Sequence, residues 1–366
     1  MAEPTAFAKA TKAIRSTIGL PIALANWIAR EPLITGPLLW ALTRGPPELR
    51  ERLLQPFRSN LLARDANVRL GKFITALKIC VALGTVKRIN RALDALALNA
   101  WYLPGMKPMA KWRWDGRTEV VVITGGCSGF GYEMVKRFAG KAKIVIIDIM
   151  ALPAELEKLL INNAGIGGDF NMVRHSHTKT DNGLIGDGRT ILDTSTEFAS
   201  RIMAVNLTSH FVLIREFLPG MLDAKKGHVV GIASMASFVS APGMVDYCVT
   251  KVGVLALHEG LRNELLSRYE NGYCIATTSV HPSWHATGIV KGLEDNLANH
   301  GIVVDPPSNV AEAVFDQVLA HRSGQIFMPR SAEGESGMRR MPIWVQDVLL
   351  GNVQLNPFSR KKSISE

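Results

Sequence analysis

Three polar side chains in the second half of the chain have the types and spacing to move a proton. Ser234 closes the run His228-Val229-Val230-Gly231-Ile232-Ala233, which reads as a strand. Tyr247 follows thirteen positions later and Lys251 four beyond that. On a helix, residues at i and i+4 share a face, so the phenol and the ammonium can point at one reacting atom. A phenol of ordinary pKa, about 10, is a poor base near neutrality. A neighbouring cation changes that by stabilising the phenolate. Lys251 can supply such charge, and the Ser234 hydroxyl can hold a substrate oxygen beside Tyr247. This chemistry suits loss of an alcohol proton as hydride leaves the same carbon. Taken alone, Tyr-x-x-x-Lys is as common in structural helices, so the elements that would position it carry the weight.

Upstream, Val120-Val121-Val122-Ile123 reads as a buried strand because four consecutive β-branched residues suit a parallel sheet. It runs into Thr124-Gly125-Gly126-Cys127-Ser128-Gly129-Phe130-Gly131, and the apolar spacing of residues 132–138 then predicts a helix. Strand, glycine turn and helix form the geometry in which a helix N-terminus meets a pyrophosphate. Gly125, Gly129 and Gly131 would permit the turn and the close backbone approach. A second strand is expected over residues 142–149, ending at Asp148, 17 residues beyond Gly131. A carboxylate there can accept from both hydroxyls of an adenine ribose and repel a 2′-phosphate, which favours NAD over NADP. Leu159-Leu160-Ile161-Asn162-Asn163-Ala164-Gly165 reads as a further strand with a polar tip.

In this order, TGxxxGxG, a strand-ending acid, NNAG, Asn206, Ser234 and Tyr247-x-x-x-Lys251, the chain resembles the short-chain dehydrogenases/reductases over about residues 118–330. The resemblance implies a doubly wound, Rossmann-type α/β fold. It also implies catalysis by Ser234, Tyr247, Lys251 and Asn206, the last bending its helix and supporting a proton relay through Lys251, with an oxidised nicotinamide ring sharing with Lys251 the charge that stabilises the phenolate. The implied cofactor contacts are Gly125, Ser128, Gly129, Phe130, Gly131, Asp148, Asn163, Gly165, Tyr247, Lys251, Pro282 and Thr287. Ser283 stands where the family usually has Gly. The segment His281-Pro282-Ser283-Trp284 is similar to the membrane- and lipid-droplet-associated branch that includes retinol dehydrogenases and 17β-hydroxysteroid dehydrogenase 11. That branch implies a hydrophobic alcohol or ketone: a retinoid, a steroid or a long-chain lipid.

The net charge of +10 is uneven, with residues 1–117 at +12 and the remainder at −2. Basic residues interleaved with Leu and Ile point to an anionic membrane surface over nucleic acid, and the resemblance at 281–284 implies that this is a lipid droplet or the cytosolic face of the endoplasmic reticulum. Short apolar helices are expected within 18–42, 73–86 and 89–103. Trp27, Trp40, Trp101, Tyr102, Trp112 and Trp114 are the expected interfacial anchors. Arg30-Glu31-Pro32 interrupts the first stretch, so a one-leaflet association is expected in place of a span. There is no cleavable signal pattern. Cys80, Cys127, Cys248 and Cys274 have neither paired nor metal-ligand spacing. His281 and His285 lack a third ligand and read as pocket or loop residues; no metal is expected.

The expected organisation is a membrane-associated helical region (1–117), a catalytic domain (118–332) and a C-terminal linker and tail (333–366), with a homodimer as a further expectation. The chain departs from the family pattern twice. Residues 150–158 are too few for the usual helix, third strand and helix, so the sheet should lack an edge strand and expose its second strand. Residues 168–188 are polar, glycine-rich and patternless, as if one segment had been lost and another retained. The rival reading is a catalytically impaired scaffold of the same fold at a membrane or lipid-droplet surface.

Overall fold

The computed structural model describes residues 31–59, 63–103, 105–153, 155–156, 190–288, 290, 297–298 and 302–350. Asn163, Gly165, the strand expected around them and the 168–188 insertion lie outside the described residues, as do residues 1–30 with Trp27. The chain divides into two compact units, Met1–Ala97 and Leu98–Glu366.

In the first unit, helix α1 (Pro32–Thr43) starts with Pro32 in its first turn, where a missing N–H costs nothing, and Glu31 caps it by accepting from Leu33 N. Helix α2 (Pro47–Ser59) follows. Helix α3 (Ala63–Leu98) runs 36 residues without a break and merges the two short helices expected over 73–86 and 89–103. No proline or cap signal interrupts that stretch, so the ladder continues. Leu42, Leu54 and Leu77 form a small core, and Arg88 pairs with Glu31 at 2.7 Å. Among the described residues, no helix is long and apolar enough to cross a membrane.

The second unit holds the α/β fold. Strand β1 (Val120–Thr124) leads through the glycine turn to α4 (Gly129–Phe138) and to β2 (Lys143–Ile147), which pairs with β1 in parallel. Helix α5 (Thr196–Met203), a π-turn (Ala204–Thr208) and α6 (Ser209–Asp223) precede β3 (Gly227–Ile232). Helix α7 (Val245–Arg268), β4 (Ile275–Pro282), α8 (Pro307–Leu319) and β5 (Gly324–Met328) complete a second parallel sheet of order β3-β4-β5. The last helix is α9 (Ile343–Leu350).

Alternation along β3 shows the layering. Val230 faces a core built from α4 and α8, including Val135, Phe138, Val310 and Val314, whereas Val229 faces Leu218, Leu261 and Leu265 of α6 and α7. Helices thus cover both faces, and all eight residues of β4 are buried, as a central parallel strand requires. Among the described residues β2 pairs only with β1, and Val145 is left 37% exposed.

The boundary falls earlier than the loop at 104–116 suggests. Glu119 and Lys226 form a buried ion pair at 2.8 Å, Lys226 lies over the Trp112 ring, and Trp114 stacks on Trp112 and packs near Phe138. Trp112 and Trp114 are therefore packing residues of the α/β unit, not surface anchors; Trp40 and Trp101 remain exposed. Residues 333–340, expected as linker, lie in a 3₁₀ segment (Arg330–Arg340) that buries Ala332.

Candidate active site

The glycine turn is built by close approach. Gly125 and Gly129 adopt φ of +63° and +52°. A Cβ on Gly131 would lie 2.1 Å from the Gly125 carbonyl oxygen, so no side chain fits where α4 leaves β1. Ser128 is the N-cap of α4, yet its exposed side chain makes no cap bond to the helix. The first N–H groups of α4 and this hydroxyl are the groups a pyrophosphate would use.

Asp148 has a second task that the sequence spacing did not reveal. Its two carboxylate oxygens accept from the backbone N–H groups of Cys127 and Met150, each at 2.8 Å. The carboxylate therefore ties the glycine turn to the end of β2. Each oxygen keeps a further acceptor position for a ribose hydroxyl. Burial first, and then the Asp148 charge, push the Cys127 thiol up to about 11, so it carries its proton.

Thr287 sits at the same turn. Its methyl carbon lies 3.4 Å from where a Gly129 Cβ would be, and the His285 ring meets Phe130 edge-on at 5.4 Å. The loop after β4 is thus seated on the pyrophosphate end of the site, whereas the resemblance assigns Thr287 to the nicotinamide carboxamide.

The second half of the site gathers around the carboxyl end of β3. Ser234 caps a 3₁₀ turn (Met235–Ser237), accepting from Ala236 N at 3.1 Å and donating to the Pro282 carbonyl at 3.4 Å. Helix α7 brings Tyr247 and Lys251 to it, with the Lys251 ammonium 5.4 Å from the Tyr247 ring centre. Lys251 donates to the Ile232 carbonyl at 3.0 Å. Asn206 lies in the π-turn, where an extra residue per turn breaks the helical ladder, and its amide reaches the Thr250 hydroxyl at 3.4 Å. Thr250 precedes Lys251 and donates to the Tyr247 carbonyl at 2.7 Å. The predicted Ser234, Tyr247, Lys251 and Asn206 are brought together.

Burial decides the protonation states. It raises the Tyr247 phenol to about 12, opposed by its hydrogen bond with Ser234, and lowers Lys251 to about 8. The phenol consequently holds its proton at neutral pH and is poised as an acid toward a carbonyl oxygen. Working as a base needs further positive charge close by. Of the two groups expected to supply it, Lys251 and an oxidised nicotinamide ring, the Lys251 ammonium is engaged with the Ile232 carbonyl and lowered by the same burial, which leaves the larger share to the cofactor.

The residues fit a nicotinamide dinucleotide: a glycine cradle without room for a Cβ at one end, a donor–acid pair at the other. Such a cofactor supplies the hydride acceptor or donor. The protein's own groups are placed so that Ser234 could hold a substrate oxygen, Tyr247 could exchange its proton and Lys251 could set the local charge. Among the described residues no group of His, Cys, Asp and Glu could hold a metal ion. Sequence reasoning left out the Glu119–Lys226 pair and gave His281 only a general pocket role; its fixed position beside Ser234 needed the fold.

A short chain dehydrogenase family model matches residues 151–298, which include Ser234, Tyr247 and Lys251. Human retinol dehydrogenase 10 is 38% identical over 112 residues, 31% of this chain and 32% of that protein. Dehydrogenase RED3 of Cochliobolus heterostrophus is 41% identical over 123 residues, 32% of this chain and 62% of its own length. A solved short chain dehydrogenase/reductase from Burkholderia phymatum in complex with NAD has 20% identity and a TM-score of 0.49, covering 69% of this chain and all of that one. Dehydrogenase RED2 of Cochliobolus heterostrophus is 32% identical over 185 residues, 46% of this chain and 68% of its own length. A relative matched at that identity over two thirds of its length, by a chain whose serine, tyrosine and lysine meet in space, makes this protein a member of the short-chain dehydrogenase family of nicotinamide-dependent oxidoreductases.

Proposed function

We propose that the chain transfers hydride between NAD(H) and a hydrophobic alcohol or ketone, with Tyr247 as the proton donor or acceptor. The observation that carries this reading is the half-buried Ser234–Tyr247–Lys251 cluster, with the phenol held protonated beside the Ser234 hydroxyl. Replacing Tyr247 by Phe removes only the hydroxyl. Turnover of retinol with NAD⁺ should fall by about 10³-fold or more, at the upper range for losing an acid–base group, while NADH affinity stays within about twofold. Unchanged turnover would remove Tyr247 from the reaction. Asp148 at the end of β2 supports NAD over NADP.

The substrate class is supported by the resemblance at 281–284 and by the partial likeness to retinol dehydrogenase 10. A membrane or lipid-droplet surface on the cytosolic face of the endoplasmic reticulum is the proposed location. The support is a stripe on α3 where Ile79, Leu83, Val86 and Leu93 recur at helical spacing and stand exposed, beside exposed Lys72, Lys78 and Lys87. Co-flotation with vesicles containing phosphatidylserine tests it; failure to float at physiological salt would refute it. Exposed Phe211 and Val212 on α6 and Val249 on α7 support a homodimer, to be read by sedimentation. One observation favours the scaffold reading: β2 has one partner among the described residues. Absence of NADH binding at millimolar concentration by calorimetry would decide for the scaffold.

A further inference from the structure

We propose that His281 is a positioning residue: where the sheet ladder ends, its imidazole adds a side-chain bond one residue further on and clamps the Ser234 main chain, and through it the hydroxyl that receives the substrate oxygen. The proposal rests on the role given to Ser234 above. The backbone ladder between β3 and β4 ends with Ala233 N donating to the Val280 carbonyl at 2.8 Å. In a parallel register the next rung would run from the N–H of residue 282 to the Ala233 carbonyl, and Pro282 has no N–H. One residue further, the His281 side chain holds the chain instead. Nδ1 lies 3.3 Å from the Ser234 carbonyl, which also accepts from Ser237 N at 2.9 Å within its own turn. Nε2 lies 3.0 Å from the Ser279 hydroxyl.

The partners fix the proton. A carbonyl can only accept, so Nδ1 carries the hydrogen and Nε2 accepts from Ser279. The ring has no freedom to leave. It is fully buried and forms one corner of a triangle of rings, 4.9 Å from Phe238 and stacked on Phe327 at 5.2 Å, with the two phenylalanines 5.8 Å apart. Phe238 directly follows the 3₁₀ turn that Ser234 caps. With Ser234 also donating to the Pro282 carbonyl, the last two residues of β4 grip Ser234 by both main chain and side chain. The ladder alone would leave that serine at the end of a free turn.

Two variants separate the clamp from bulk packing. His281→Phe keeps a ring packed on Phe238 and Phe327 but has no donor, whereas His281→Asn restores a donor at the position of Nδ1. With retinol and NAD⁺, His281→Phe should lose about tenfold in kcat, the scale of a small misplacement, with KM for retinol and NADH affinity within about twofold. His281→Asn should recover most of that loss. Wild-type kcat in a folded His281→Phe, or no recovery in His281→Asn, would overturn the clamp. An arm independent of activity is ¹⁵N NMR of histidine-labelled full-length protein, in which His281 should be the Nδ1–H tautomer; an Nε2–H tautomer would overturn the proposal. If wild type leaves retinol untouched, the substrate reading fails, and the tautomer alone decides for or against His281.

Discussion

The two halves of the α/β unit hold their functional groups by different means. In the glycine-turn half, β1 and β2 pair only with each other among the described residues, and the site is shaped locally: two positive-φ glycines, one forbidden Cβ and a carboxylate that ties turn to strand. In the serine–tyrosine–lysine half, a strand buried along its whole length, two helices and a π-turn bring residues 45 positions apart (206 and 251) into one cluster. A local device tolerates the loss of a distant neighbour. A packed one does not, and its polar groups carry the cost as shifted protonation states.

The comparison predicts where each half breaks. The largest effect is expected at Gly131. Alanine there would press its Cβ against the Gly125 backbone, 2.1 Å away, so the turn must open. NADH affinity should fall by about 100-fold by calorimetry, with a strain of about 3 kcal/mol as the source, while the thermal midpoint moves little. A large drop in the midpoint would show that the turn is not a local device.

Gly231 is the counterpart in the packed half. A Cβ there would lie 2.1 Å from His258 Nε2, a ring held inside the unit, so Gly231→Ala should cost about 1–3 kcal/mol by overpacking. Chemical denaturation reads this directly, and Gly231→Ala combined with His258→Ala should recover part of it.

Acid should act on the packed half as well. Burial pushes His228 and His258 down to about 3, and His210, His281 and His321 down to about 4, from an ordinary 6.5. Below pH 6.5 the unfolded chain takes up protons that the folded histidines refuse. Stability is therefore full above about 6.5 and falls as pH drops toward 4. Five such groups give a steep loss between pH 6.5 and 5, measurable as the thermal midpoint. A flat midpoint across that range would contradict their neutral burial.

The smallest effect is expected for Asp148→Asn. The amide keeps one acceptor for the turn and loses the charge, so NADH should bind within about tenfold of wild type, with relatively better NADPH binding, the scale of one charge-assisted bond. Unchanged preference between the two cofactors would remove Asp148 from that choice.

Much of the fold was legible because its signals are local. Val120–Ile123, the glycine spacing and the strand-ending Asp148 name their own conformations, and Tyr247 and Lys251 share a helix face by arithmetic. Boundaries failed where packing overrides loop signals. Trp112 and Trp114 look like surface anchors, yet Lys226 and Phe138 draw them into the α/β unit. Two helices expected within 73–103 proved to be one, because nothing in that stretch terminates a helix.

By itself the sequence determined the residue types, their order and the faces they occupy: the glycines, the acid, and the serine, tyrosine and lysine. Those properties follow from backbone sterics and helical or strand periodicity, which act over a few residues. Only the tertiary structure decided that the Tyr247 phenol keeps its proton, that Asp148 serves the turn, and that His281 lies against Ser234. Each of these depends on burial and on groups far apart in the chain, and desolvation is a property of the packed assembly.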